Sequence, residues 1–276
     1  MARRIPSVTG VDRDTFPDRP DRTPGTDPGP EAAPTLRRGV WVLGTAATLL
    51  VAAGLYAASG APGEETQGEA ARLLFIHVPS AITAYLALGV GVLGAFGYLI
   101  RRSPAADLIS ASGIEIGVLF TGLTLFTGMI WGRLVWGVWW DWSDARMVAT
   151  AVLFFLYVGY LALRRSISDP RVRAARCAVL GIVAFVQVPI VHYSVLWFRT
   201  LHQGPTLIRP DLTNATMDPA FSRPLGMSIV AFVALFAFLL AIRMALARAE
   251  TIVTDSSRSG APVGGAVAPP RLDSPP

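Results

Sequence analysis

Six stretches of this chain are apolar for about twenty residues at a time. They lie near 39–59, 73–100, 108–131, 147–163, 177–198 and 225–247. That is the length a helix needs to cross ~30 Å of hydrocarbon, at 1.5 Å of rise per residue. A soluble domain of 276 residues would break its apolar runs with polar faces. Here the chain is 52% hydrophobic and 16% charged. Inside a bilayer the backbone finds no water to bond, so each run must be helical. The expected fold class is therefore all-α: a polytopic membrane protein with six transmembrane helices. Glu115 falls inside the third run and is read as interrupting it. Glycine is frequent in the second and third runs, which favours close helix contact.

All the basic side chains are arginines, and their placement sets an orientation. One set of loops carries Arg37, Arg38, Arg101, Arg102, Arg164, Arg165, Arg171, Arg173, Arg176, Arg243 and Arg248. The other carries Glu64, Glu65, Glu69 and Arg72, then a tryptophan-rich stretch, then the mixed segment 199–224. The arginine-rich side reads as cytoplasmic, which puts both termini inside and the tryptophans outside. The pI near 10.0 reflects this bias; no basic-aromatic nucleic-acid motif accompanies it. Three parts follow: a tail at 1–36, a membrane domain at 37–250, and a tail at 251–276. The tails, rich in Pro, Gly, Ser and Asp, cannot bury a core and are read as disordered and cytoplasmic. Arg3–Arg4 has no apolar segment close behind it, which argues against a twin-arginine signal. Cys177 stands alone, which excludes a dithiol centre within the chain and a C-x-x-C-H haem attachment. It reads as a small packed residue.

The stretch "WGRLVWGVWWDWSDAR" (131–146) holds five of the seven tryptophans. An interfacial belt would scatter one or two rings per helix end. Trp136, Trp139 and Trp140 are spaced i, i+3, i+4, so on a short surface helix they would share one face. Trp131 and Trp142 flank them. The expectation is an aromatic platform for a large planar ligand or a partner.

The three histidines, His77, His192 and His202, all fall on the tryptophan side. Taken singly, an intramembrane histidine is often an interhelical contact. Imidazole is also a common metal and haem-iron ligand, and Pro79 and Pro189 set the local helix path beside His77 and His192. A flat tetrapyrrole suits the pattern. Its faces stack on indole, its iron takes two axial nitrogens, and its propionates pair with Arg133, Arg146 or Arg199 through the guanidinium fork. One ligand would come from the second span and the other from the fifth span or the loop after it.

The stretch resembles the WWD domain of haem-handling membrane proteins, whose motif reads W-G-x-x-W-x-W-D-x-R-L-T. Within that group the chain is similar to the CcmC family of system I cytochrome c maturation. The resemblance covers about 39–247 and rests on "LLFIHVPSAI" (73–82), "WGVWWDWSDARM" (136–147), "FFLYVGY" (154–160) and "VPIVHYSVLWFRTLHQGPT" (188–206). It implies a haem b held at the outer face by the histidines of the H-V-P and L-H-Q segments, His77 and His202. His192 is the alternative second ligand. His202, in a loop, would be the freer to let go. The resemblance also implies a non-enzymatic subunit in the plasma (inner) membrane. It would hand haem to a CcmE-like chaperone, alongside a CcmD-like small membrane protein and the ABC-type subunits CcmA and CcmB. The family places Asp directly after the last Trp; here Ser143 intervenes. Asp144-Ala145-Arg146 keeps the D-x-R unit, so Asp144 rather than Asp141 is the match. Asp144 and Arg146 are then expected to fix the turn or meet a propionate or the partner.

Two other functions use similar parts. A system II synthase needs two histidine pairs and more spans than six. A haem permease needs a polar path through the arginine-rich half, where Glu115 and Gln187 are the main polar groups.

Overall fold

The computed structural model describes residues 32–202, 204 and 217–259, with side chains over 38–202, 204 and 217–250. The tails read from sequence lie outside the described residues, apart from helical turns at 32–36 and 251–259. Among the described residues there is no strand. The elements in order are α1 (Ala32–Ser59), a 3-10 turn (Glu69–Leu73), α2 (Leu74–Arg101), α3 (Pro104–Val135), α4 (Ala145–Ser166), α5 (Pro170–Phe185), α6 (Gln187–Trp197) and α7 (Pro219–Ser259). Among the described residues six helical stretches are long and apolar enough to cross a membrane, α5 and α6 together making the fifth. The protein is thus a six-span all-α membrane protein, as its apolar runs require.

Polar residues set the helix ends. Pro104 and Pro170 open α3 and α5 at the first turn, where proline's missing N–H costs nothing. The Asp169 carboxylate accepts from the N–H groups of Arg171 and Val172, both at 2.8 Å, and caps α5. Arg102 takes a left-handed conformation (φ 52°) as its N–H bonds Tyr98 O, ending α2. The fifth span breaks between Phe185 and Gln187. Pro189 explains the position: its ring nitrogen cannot donate to the carbonyl four residues back, and that residue is Phe185, the last of α5. Pro79 lies inside α2, which continues through it.

Glu115 does not interrupt the third span. α3 runs unbroken through it, and its carboxylate accepts from Arg243 of α7 at 2.5 and 3.2 Å. Pairing with a cation on a facing helix is what lets a carboxylate sit there.

α2 and α3 form the central pair. A Cβ on Gly94 would stand 2.6 Å from Ser110 N, one on Gly113 2.7 Å from Gly91 N, and one on Gly91 2.7 Å from Ile114 Cγ1. The two backbones therefore touch only because these positions are glycine. On one side of the pair, Leu88 and Ile114 join Leu153, Tyr157, Tyr160, Cys177, Val188 and Val191 of α4 to α6. On the other, Ala84, Ala87, Ile116 and Phe120 meet Phe232 and Phe236 of α7. Cys177 is fully buried, packed as a small side chain. At the arginine-rich end Arg164 of α4 grips Asp107 of α3 through two bonds of 2.8 and 2.7 Å.

Candidate functional site

The opposite, tryptophan-rich end encloses a cavity of about 260 Å³. α2 contributes His77, Ala81 and Tyr85, spaced four apart and so on one helical face. α3 contributes Thr121, Thr124, Gly128 and Trp131, and the first turns of α4 contribute Arg146, Met147 and Thr150. His192 comes from α6, and Leu201, His202 and Gly204 from the segment after it. Trp136 closes one wall. All three histidines of the chain thus line one space, although His77 and His202 are 125 positions apart in sequence.

Each imidazole is held differently. His77 Nδ1 lies 3.1 Å from Thr127 Oγ1, and its ring meets Trp131 edge-on at 5.6 Å. Trp131 is itself fixed, its Nε1 donating to Gln67 Oε1 at 2.8 Å. His202 Nδ1 lies 3.1 Å from both oxygens of Asp144, and its ring meets Trp136 edge-on at 5.0 Å. His192 stands against Tyr193, and its carbonyl accepts from Arg146 Nη2 at 2.9 Å.

Asp144 is the organising carboxylate. It is 1% exposed. It caps α4 by accepting from Met147 N–H at 2.9 Å, and it also accepts from Thr200 Oγ1 at 2.5 Å and Leu201 N–H at 2.8 Å. Burial alone would raise its pKa. The bonds from His202, Thr200 and Met147 outweigh that and hold the carboxyl well below the usual carboxylate range. His202 is therefore not a freely moving loop residue: a buried carboxylate anchors both its ring and the backbone beside it. Asp141 differs. It is only partly buried, and its Oδ1 accepts from Ser143 N–H and Oγ in a local turn. That turn contains Ser143.

Arg146 projects into the cavity with one polar atom unaccounted for. Its Nη2 bonds His192 O, but its Nε is buried with no partner, and among the described residues it forms no ion pair. Arg133 and Arg199 do not line the cavity. Arg133 is exposed and bonds Gly137 O, and Arg199 is exposed.

The expected surface helix through Trp136, Trp139 and Trp140 is absent. Trp136 ends α3, its N–H bonding Gly132 O at 2.8 Å, and Gly137 then takes φ 77°. A left-handed residue stops the helix there, and the Asp141 turn fixes the rest. Consequently Trp131 and Trp136 face the cavity, while Trp139, Trp140 and Trp142 do not line it. Trp140 and Trp142 meet edge-on at 5.5 Å, and Trp139 and Trp142 are 55% and 81% exposed. Sequence reasoning passed over Thr127, Tyr85, Gln67 and Thr200. Tyr85 alone had a local signal, its spacing of two turns from His77.

Fold and cavity define a class: a polytopic all-α membrane protein with a histidine-walled cavity at one end of its helices. The chain belongs to the CcmC family, whose model, described as Heme exporter protein C, matches residues 30–259. It is 39% identical to Heme exporter protein C of Bradyrhizobium diazoefficiens over 194 residues, covering 70% of this chain and 73% of the relative. It is 36% identical to the protein of that name from Escherichia coli over 204 residues (74% and 81%). To the one from Haemophilus influenzae it is 37% identical over 198 residues (72% and 78%).

Proposed function

We propose that this chain binds haem and hands it on during cytochrome c maturation, without catalysing a reaction itself. The observation that carries the reading is the convergence of His77 and His202 with Arg146 on one cavity. Two imidazoles are the donor set a bis-histidine haem requires. The unpartnered Nε of Arg146 is the group a propionate would satisfy. Val78, Ile82, Leu125 and Val135 supply the apolar wall, and Trp131 and Trp136 the flat one. The haem is cargo, haem b, held without a covalent bond. Trp139, Trp140 and Trp142, with Arg133 and Arg199, then form the rim that a CcmE-like chaperone meets. A CcmD-like protein and CcmA and CcmB are the further partners. Glu115 and Gln187 lie outside the cavity lining, which favours a holding site over a path through the membrane.

We assign the chain to the plasma (inner) membrane, and the arginine bias supports an orientation with both terminal tails, 1–36 and 251–276, in the cytoplasm. Reporter fusions after residue 140 should then be active outside and those after residue 170 only inside; the reverse pattern refutes the orientation.

The binding test is the absorption spectrum of the purified protein with and without added haem. His77→Gly and His202→Gly should each lose the six-coordinate spectrum, and free imidazole should restore it. His192→Gly should keep it. His192 lines the same cavity, so it is the second candidate ligand. A six-coordinate spectrum that survives loss of His202 and vanishes with His192 transfers the role.

A further inference from the structure

His77 sits in a socket built by a single helix. Thr127, Gly128 and Trp131, all on α3, meet its ring. Trp131 stands at its edge, and a Cβ on Gly128 would lie 3.0 Å from His77 Cε1 and 3.5 Å from Nδ1. Glycine thus leaves the room the imidazole occupies, and Thr127 Oγ1 lies 3.1 Å from Nδ1.

The hydroxyl's other contacts bear on which of these two atoms donates. Thr127 Oγ1 is 2.8 Å from the carbonyl of Leu123 and 3.2 Å from that of Thr124. A threonine hydroxyl has one hydrogen, and a carbonyl can only accept. Its shortest contact is the Leu123 carbonyl, which favours sending the hydrogen to the α3 backbone. In that arrangement the oxygen turns a lone pair toward His77 and Nδ1–H donates, with the Thr124 backbone as a further partner of the ring. A neutral imidazole protonated on Nδ1 carries its free lone pair on Nε2.

We propose that Thr127 is a positioning residue that holds His77 in the Nδ1–H tautomer, leaving Nε2 as the nitrogen a metal in the cavity can take. The second half rests on His77 being an iron ligand; the first half does not. The device parallels the outer-shell partners that fix metal-binding histidines elsewhere. Here the partner is a neutral hydroxyl for His77, against an ionised carboxylate for His202.

The chain has only three histidines, so the full-length protein labelled with ¹⁵N-histidine gives three imidazole spin systems. Single His→Gln variants assign them. In the haem-free protein His77 should be protonated on Nδ1 and bare on Nε2. Thr127→Val, the same shape without the oxygen, should shift its signals toward the other tautomer, and Thr127→Ser should restore them. In a haem titration Thr127→Val should weaken binding about tenfold, the low end of the usual loss of an outer-shell partner. Thr127→Ser should stay near wild type, and unchanged melting temperatures would show that both variants fold. A wild-type His77 protonated on Nε2, or signals indifferent to Thr127→Val, overturns the proposal. A tautomer that follows Thr127 while His77→Gly binds haem as well as wild type supports Thr127's hold on the ring and instead removes His77 from the ligand set.

Discussion

His202 Nδ1 stands 3.1 Å from each carboxylate oxygen of Asp144, across 58 positions of sequence. The same carboxylate caps α4 and receives the Leu201 N–H. One side chain therefore ties the second histidine to the start of the helix that carries Arg146. A carboxylate behind an imidazole orients it and raises its basicity as a ligand.

From this arrangement Asp144→Ala should do two things at once. Losing the cap costs about 1 kcal/mol of stability, read as a lower melting temperature in detergent. Losing the partner of His202 should lower haem affinity by roughly 10–100-fold. Asp144→Asn keeps a capping oxygen but turns an NH2 toward the Leu201 N–H, so it should recover only part of the stability and none of the affinity. Asp141→Ala, which removes only a local turn, should be mild in both assays. A larger effect at Asp141 would reject the role given to Asp144.

How much of this could be read in advance depends on the range over which each signal acts. The spans were legible because bilayer thickness imposes a length that local composition displays. The grouping of the histidines was legible because loop charge sorts the chain into two sides. Glu115 was misread because its partner Arg243 lies 128 positions away, and nothing near Glu115 announces it. The tryptophan spacing was over-read. Its helical period was real, but Gly137 and the Asp141 turn were competing local signals, and turn chemistry prevailed. The four partners of Asp144 and the Thr127 contact arise from packing between segments distant in sequence.

The contact between α2 and α3 makes a sharper claim. Gly94→Ala would set a Cβ 2.6 Å from Ser110 N and 2.9 Å from Ala106 O, both backbone atoms that cannot swing aside. Forcing the helices apart should cost about 1–3 kcal/mol. Gly159→Ala meets nothing within 4 Å and should be neutral or gain up to about 1 kcal/mol from helix propensity. Paired thermal melts decide it, and equal shifts would show that the interface tolerates a methyl group.

The Asp107–Arg164 pair tests what an ion pair contributes at the arginine-rich end. Its side chains are each 17% exposed, so removing one partner strands a largely desolvated charge. Asp107→Ala alone should destabilise by about 3 kcal/mol. The double change Asp107→Leu with Arg164→Met should cost clearly less, because no unpaired charge remains. If the double variant is as unstable as the sum of its two single variants, the coupling between the side chains is zero and the stranded-charge account fails.

The tryptophans should separate into two classes. Trp131 and Trp136 line the cavity and stand edge-on to His77 and His202, whereas Trp139 and Trp142 are exposed outside it. An aromatic contact is worth about 0.5–1.5 kcal/mol beyond the area it buries, which corresponds to roughly a 2–13-fold change in affinity. Trp136→Ala and Trp131→Ala should therefore weaken haem binding to the purified chain by factors in that range, with the spectrum broadened as the histidine rings loosen. Trp139→Ala and Trp142→Ala should leave binding to the isolated chain unchanged. Their effect should appear only when the chaperone is added, as slower transfer of haem out of the cavity. Trp41→Ala, an exposed ring on α1, should change neither quantity and serves as the control for loss of an interfacial indole. Equal losses of binding at Trp136 and Trp142 would return all five rings to a single platform, and the cavity drawn by Trp131 and Trp136 would no longer describe where the haem sits.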